Sequence, residues 1–165
     1  MMTIAINKTA LNFWSSMMSN ANTALITGAS SGIGAIYADR LAHRGRDLIL
    51  VARDEARLNA LAARLRAETG RSVDILTADL AVRPDLLRVE DRLREDSSIG
   101  MLVNNAGIAV AGPMLGSDAD RLEAMVTLNV TAALRLAHAA VAGFMAEPVI
   151  SDDCAHDPTA SRAAM

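Results

Sequence analysis

The chain has 165 residues, enough for one domain with a core of moderate size. Hydrophobic residues make up 52% and charged residues 21%, a balance that excludes a disordered polyelectrolyte. A net charge of −3 gives no reason to expect nucleic acid or an anionic membrane as a partner, and the single cysteine, Cys154, allows no internal disulfide and fits a cytoplasmic protein.

Residues 1–21 lack the apolar centre and cleavage site of a secretory signal and are expected to form an extension, in which Phe13 and Trp14 would pack on a partner if a short helix formed. Thr23 to Thr27 (TALIT) is a short apolar run that stops at a Gly-Ser turn, the pattern of a buried strand. Ile33 to His43 is expected to be a helix, with Ile33, Ile36, Tyr37 and Leu41 on one face. Leu48 to Ala52 (LILVA) suits a strand covered on both sides. Asp54 can cap a helix from Glu55 to Thr69, whose stripe is Leu58, Leu61, Ala62 and Leu65 and whose stop is Gly70. Val73 to Ala78 predicts a third strand. Pro84 opens a helix running to about Glu95, and GMLVNNAG supplies a fourth strand and another loop of small residues. Asp118 to Ala146 is helical in pattern, with a kink expected near Thr127 to Asn129. Alternating strands and helices imply a parallel α/β sheet covered on both faces. No apolar run approaches the ~20 residues that span a bilayer. The expected organisation is an extension over 1–21, a domain over 22–146 and an irregular tail over 147–165.

The stretch TGASSGIG, Thr27 to Gly34, places a helix N-terminus in a loop of small residues. Unpaired N–H groups and the helix dipole make such a terminus an anion site. Glycine belongs where backbone must approach a phosphate, or where a first helical turn lies tight on a strand. The spacing of Gly28, Gly32 and Gly34 is G-x-x-x-G-x-G, not the common G-x-G-x-x-G.

TGASSGIG, ADL (Ala78 to Leu80), NNAG (Asn104 to Gly107) and LNV (Leu128 to Val130) occur in that order. In these motifs the chain resembles the classical subgroup of the short-chain dehydrogenases/reductases, from about Asn22 to Ala146. The resemblance implies a Rossmann-like, doubly wound parallel sheet, a nicotinamide dinucleotide, and a small carbonyl or alcohol substrate. It implies that Gly28, Ser30, Ser31, Gly32, Ile33 and Gly34 form the pyrophosphate loop and that Thr27 braces it against the NNAG turn. Asp79 and Leu80 would contact adenine; Asn105, Ala106 and Gly107 would line the adenosine ribose. Asn129 would be the asparagine of the catalytic set, bending its helix and holding a proton-relay water. The helix after Asp118 corresponds to one through which family members form homo-oligomers. At the end of the second strand Ala52 stands where NAD-preferring relatives carry Asp, and Arg53 follows, so NADP is expected over NAD. The basic residue that NADP-preferring relatives carry inside the glycine loop is replaced by Ser31.

The family's chemistry also uses a serine, a tyrosine and a lysine four residues after that tyrosine. In this sequence the only tyrosine is Tyr37 and the only lysine is Lys8, so these 165 residues contain no Tyr-x-x-x-Lys. The expectation is a sheet truncated after about four strands, inactive by itself, with Met101, Leu102 and Val103 on an unpaired edge. Non-catalytic dinucleotide binding, dimerisation, or no function at all are the alternatives. Asp152, Cys154, His156 and Asp157 can be drawn as a metal cluster and Ser151, His156 and Asp157 as a triad, but a solvated tail accounts for both, so no metal is expected. His43 closes a helix and His138 is expected to pack among alanines.

Overall fold

The computed structural model describes residues 21–145. The remainder of the expected extension, with Lys8, Phe13 and Trp14, and the tail with Ser151, Asp152, Cys154, His156 and Asp157, lie outside the described residues. The chain runs β1 (Thr23–Thr27), α1 (Gly32–His43), β2 (Asp47–Ala52), α2 (Glu55–Thr69), β3 (Val73–Thr77), α3 (Arg83–Glu95) and β4 (Ile99–Val103). A short 3₁₀ turn, Met114–Gly116, precedes α4 (Ala119–Val126), a π-helical segment (Thr127–Ala132) and α5 (Ala133–Met145).

The four strands form one parallel sheet in the order β3-β2-β1-β4. Alternate residues of each strand face opposite sides, and both sides are apolar. Ala24, Ile26, Leu48 and Leu50 meet Ala38 and Leu41 of α1 and Leu58, Ala62 and Leu65 of α2. Leu25, Ile49 and Val51 meet Leu86, Val89 and Leu93 of α3 and Leu136, Ala139 and Ala140 of α5. The strands are therefore core on two faces, which is why they read as continuous apolar runs. Among the described residues β4 is an edge strand, and Met101, Leu102 and Val103 are half-buried on it. The β1–β4 register shifts once, at Gly100, where a side chain would collide with the Ala21 carbonyl.

The cap signals hold at α2. Asp54 Oδ1 accepts from the Arg57 amide at 3.0 Å, and Gly70 stops the helix at φ +67°. The stripe predicted for α1 does not hold: Ile33 is 65% exposed, and Ile36 and Tyr37 are also exposed. The helix buries Gly34, Ala38, Leu41 and Ala42 instead. Small residues let its axis come close to the sheet, so the face that packs is the one with the least hydrophobic bulk.

At the kink expected near Thr127 to Asn129 the helix runs as a π segment, Thr127–Ala132. Taken as one unit, Ala119–Met145 is long and apolar enough by length and composition to cross a bilayer, although no single apolar run is. Arg121, Glu123 and Arg135 interrupt it, and the inner face of its α5 part is committed to α3. There Glu90 is 1% exposed and accepts from Arg135 at 2.5 and 2.9 Å and from Arg94 at 2.9 Å. Burial by itself would raise the Glu90 pKa, but the hydrogen bonds and charges of Arg135 and Arg94 outweigh it, and the carboxyl sits below its ordinary value. Gly143 completes the fit, because a side chain there would collide with the Leu93 carbonyl.

Candidate functional site

The chain leaves β1 toward β2 and β3 and returns to the far side of β1 as β4. The segments after β1 and β4 therefore diverge, and a crevice opens at the carboxyl ends of the strands, where open α/β sheets hold ligands. It encloses about 480 Å³. Gly28, Ser30, Ser31 and Ile33 line one side, Asn105, Ala106, Gly107 and Ile108 the other, with Leu128 beside them. Val51 to Asp54, Arg57 and Ala78 to Leu80 close the end over β2 and β3.

The three glycines have three different reasons. At Gly28, with φ +66°, a Cβ would lie 2.9 Å from Ala106 Cα and from Asn105 Nδ2. At Gly34 it would collide with the Gly28 carbonyl, so this residue lets α1 sit on the loop. Gly32 has φ +57° and open space around it. The adjoining strand therefore makes no demand on Gly32; its backbone conformation does. Ser31, the N-cap residue of α1, makes no side-chain cap bond, and no acid stands in the first turn. The helix thus presents uncapped N–H groups and its positive end to the crevice.

Thr27 is fully buried and its hydroxyl is saturated. It accepts from the Asn105 amide at 2.9 Å and the Ala106 amide at 3.0 Å, and donates to the Val103 carbonyl at 3.4 Å. Asn105 Nδ2 donates back to the Thr27 and Gly28 carbonyls at 3.0 and 3.3 Å. The two loops are thereby fixed to each other before any ligand arrives.

Asp79 Oδ1 accepts from the Ala81 amide at 3.0 Å, and its Oδ2 lies 3.6 Å from Arg53, whose side chain is 71% exposed. Asp85 was not evident as a site residue. Its Oδ2 accepts from the Asp79 amide at 2.8 Å while Oδ1 accepts from Arg88. These bonds, first the Asp79 N–H and then Arg88, hold the Asp85 carboxyl below its ordinary value. Asp85 sits in the first turn of α3 behind Pro84, a place where an acid reads only as a helix signal.

Asn129 lies in the π segment. Its Oδ1 accepts from the Ile108 amide at 2.9 Å and its Nδ2 donates to the Ile108 carbonyl at 2.8 Å. The side chain clamps the backbone that follows the NNAG turn. Asn104 adds a second tie, donating to the Ala133 carbonyl at 2.7 Å. The crevice thus brings together Gly28, Ser30, Ser31, Ile33, Arg53, Asp79, Leu80, Asn105, Ala106 and Gly107; of the other expected site residues, Thr27 and Gly34 are buried, and Gly32 and Asn129 are exposed but do not line it. His138 is exposed and not packed among alanines.

Comparison with known proteins matches this arrangement. The family model described as short chain dehydrogenase matches residues 22–149. The bulky-bulky ketone specific alcohol dehydrogenase from Comamonas testosteroni is 54% identical with a TM-score of 0.74, over 76% of this chain and 50% of that one. A short-chain dehydrogenase from Sphingobium yanoikuyae, solved in complex with NADPH, is 59% identical with a TM-score of 0.71, over 72% of this chain and 46% of that one. The human 17-beta-hydroxysteroid dehydrogenase type 3 is 32% identical over 134 residues, 76% of this chain and 43% of that protein. The chain spans about half the length of these relatives. A match over most of the chain, on a sheet of the expected order, establishes that it belongs to the short-chain dehydrogenase family.

Proposed function

We propose that the crevice binds NADPH as the coenzyme-binding part of an oxidoreductase acting on a carbonyl or alcohol. The observation that carries this is the uncapped N-terminus of α1 opening onto the same crevice as Arg53. The diphosphate would lie on the N–H groups beside Gly32, where space is open. Asp79 and Leu80 would meet the adenine, and Asn105, Ala106 and Gly107 the adenosine ribose. Arg53 would meet a 2′-phosphate. The relative from Sphingobium yanoikuyae binds NADPH, which supports this choice over NADH.

The bound coenzyme would supply a hydride. Asn129 would position the Ile108 backbone beside it. No residue of the 165 offers the tyrosine–lysine pair, so proton delivery from these residues alone would fall to water. General acid catalysis contributes roughly 10²–10⁴-fold, enough for its loss to hide turnover. The test is calorimetric titration with NADPH and NADH alongside a ketone-reduction assay. The expected result is preferential NADPH binding without turnover; absence of NADPH binding overturns the proposal, and robust turnover overturns the inactivity.

A second reading rests on a different surface. Val126, Val130, Leu134, Val141 and Met145 are exposed along one side of the helix from α4 to α5. That row suits a second copy of the chain, and pairing through it is the alternative or additional role.

A further inference from the structure

Arg53 is not the only guanidinium at the β2 end of the crevice. Arg57, in the first turn of α2, lines the same space, and its side chain is 66% exposed. Its Nε lies 3.2 Å from Asp54 Oδ2. Its two terminal nitrogens make no hydrogen bond among the described residues. An exposed ion pair of this kind contributes little to stability, so fold maintenance is a weak reason for the residue.

Asp54 is committed on both oxygens. One caps α2 through the Arg57 amide at 3.0 Å and the other faces the Arg57 guanidinium. A ribose 2′-hydroxyl, the contact that favours NADH, would have to share this carboxylate with Arg57. Each arginine has one acid: Arg53 has Asp79 at 3.6 Å and Arg57 has Asp54. The mouth is charge-balanced until a further anion arrives. A phosphomonoester carries close to two negative charges and can accept from two guanidinium groups at once.

We propose that Arg57 is a second coenzyme-selecting residue, gripping the 2′-phosphate of NADPH from α2 while Arg53 grips it from the end of β2. This rests on the NADPH reading above and adds a residue to it. The second basic contact, missing from the glycine loop at Ser31, is supplied from the following helix.

The test is calorimetry of the 165-residue chain and its Arg57→Gln and Asp54→Asn variants with NADPH, NADH, 2′,5′-ADP and ADP. Arg57→Gln should weaken NADPH and 2′,5′-ADP by about tenfold, the scale of one charge-assisted hydrogen bond. NADH and ADP should change by less than about twofold, since neither carries the 2′-phosphate. Asp54→Asn keeps the cap and frees Arg57, so it should tighten NADPH and leave NADH unchanged. Equal losses for NADPH and NADH in Arg57→Gln would make the residue structural and overturn the proposal. A loss confined to an Arg53→Ala variant would overturn it while leaving the NADPH reading intact. A parent chain that prefers NADH, or binds neither coenzyme, would overturn both.

Discussion

At the scale of single residues, backbone demands and not side-chain chemistry explain most of the loop. Gly34→Ala should prevent α1 from seating on the Gly28 carbonyl and abolish NADPH binding, as measured by titration. Normal binding would mean that the loop can yield without loss. Asp85→Ala should release the Asp79 amide and weaken NADPH and NADH alike, as read by titration with both coenzymes. A selective loss of NADPH would contradict that role. Arg53→Ala should narrow the preference for NADPH by about 1.5 kcal/mol or more, and unchanged preference would remove Arg53 from the 2′-phosphate. The glycine loop was legible as a candidate anion site because small residues stand where a strand gives way to a helix, whereas Thr27 and the NNAG turn were read only through the family resemblance. Arg57 and Asp85 were not, because a basic residue in a helix and an acid in its first turn match ordinary solvated or capping positions.

Elements were legible where caps and runs agree. β1, with its fully apolar core, and α2, with Asp54 and Gly70 at its ends, begin and end as the sequence implies. The packing face of α1 was not, because periodicity weights bulk, and this helix approaches the sheet through Gly34, Ala38 and Ala42. The α3–α5 contact was also hidden, since its parts lie far apart in the chain. Gly143→Ala should separate these helices and lower the melting temperature. Glu90→Gln should destabilise the fold at neutral pH by roughly 1.5–3 kcal/mol, the scale of a hydrogen bond to a charged group, since Arg135 and Arg94 keep partial contact with water. Folding lowers the Glu90 pKa, so the unfolded chain takes up the proton more readily and stability falls as acid is added. The parent should lose this part of its stability below the ordinary value of 4.5, and Glu90→Gln should not. Parallel acid profiles in urea titrations would contradict the assignment.

At the scale of the whole molecule, the sheet order sets the crevice between β1 and β4 and leaves α5 with one face inward and one outward. If the outward face pairs two copies, Leu134→Glu should shift the chain toward monomer in sedimentation, because the carboxylate would stand in the apolar row, where Leu134 is 69% exposed. An unchanged mass would place any contact elsewhere. The account's central claim is that the crevice at the switch of strand order takes the coenzyme on the α1 terminus. Hydrogen–deuterium exchange of the chain with and without NADPH measures this directly. Protection should rise in residues 28–35, 53–57, 78–81 and 104–108, and nowhere comparably on the opposite end of the sheet. Exchange that is unchanged in the 28–35 loop at saturating NADPH would contradict the account.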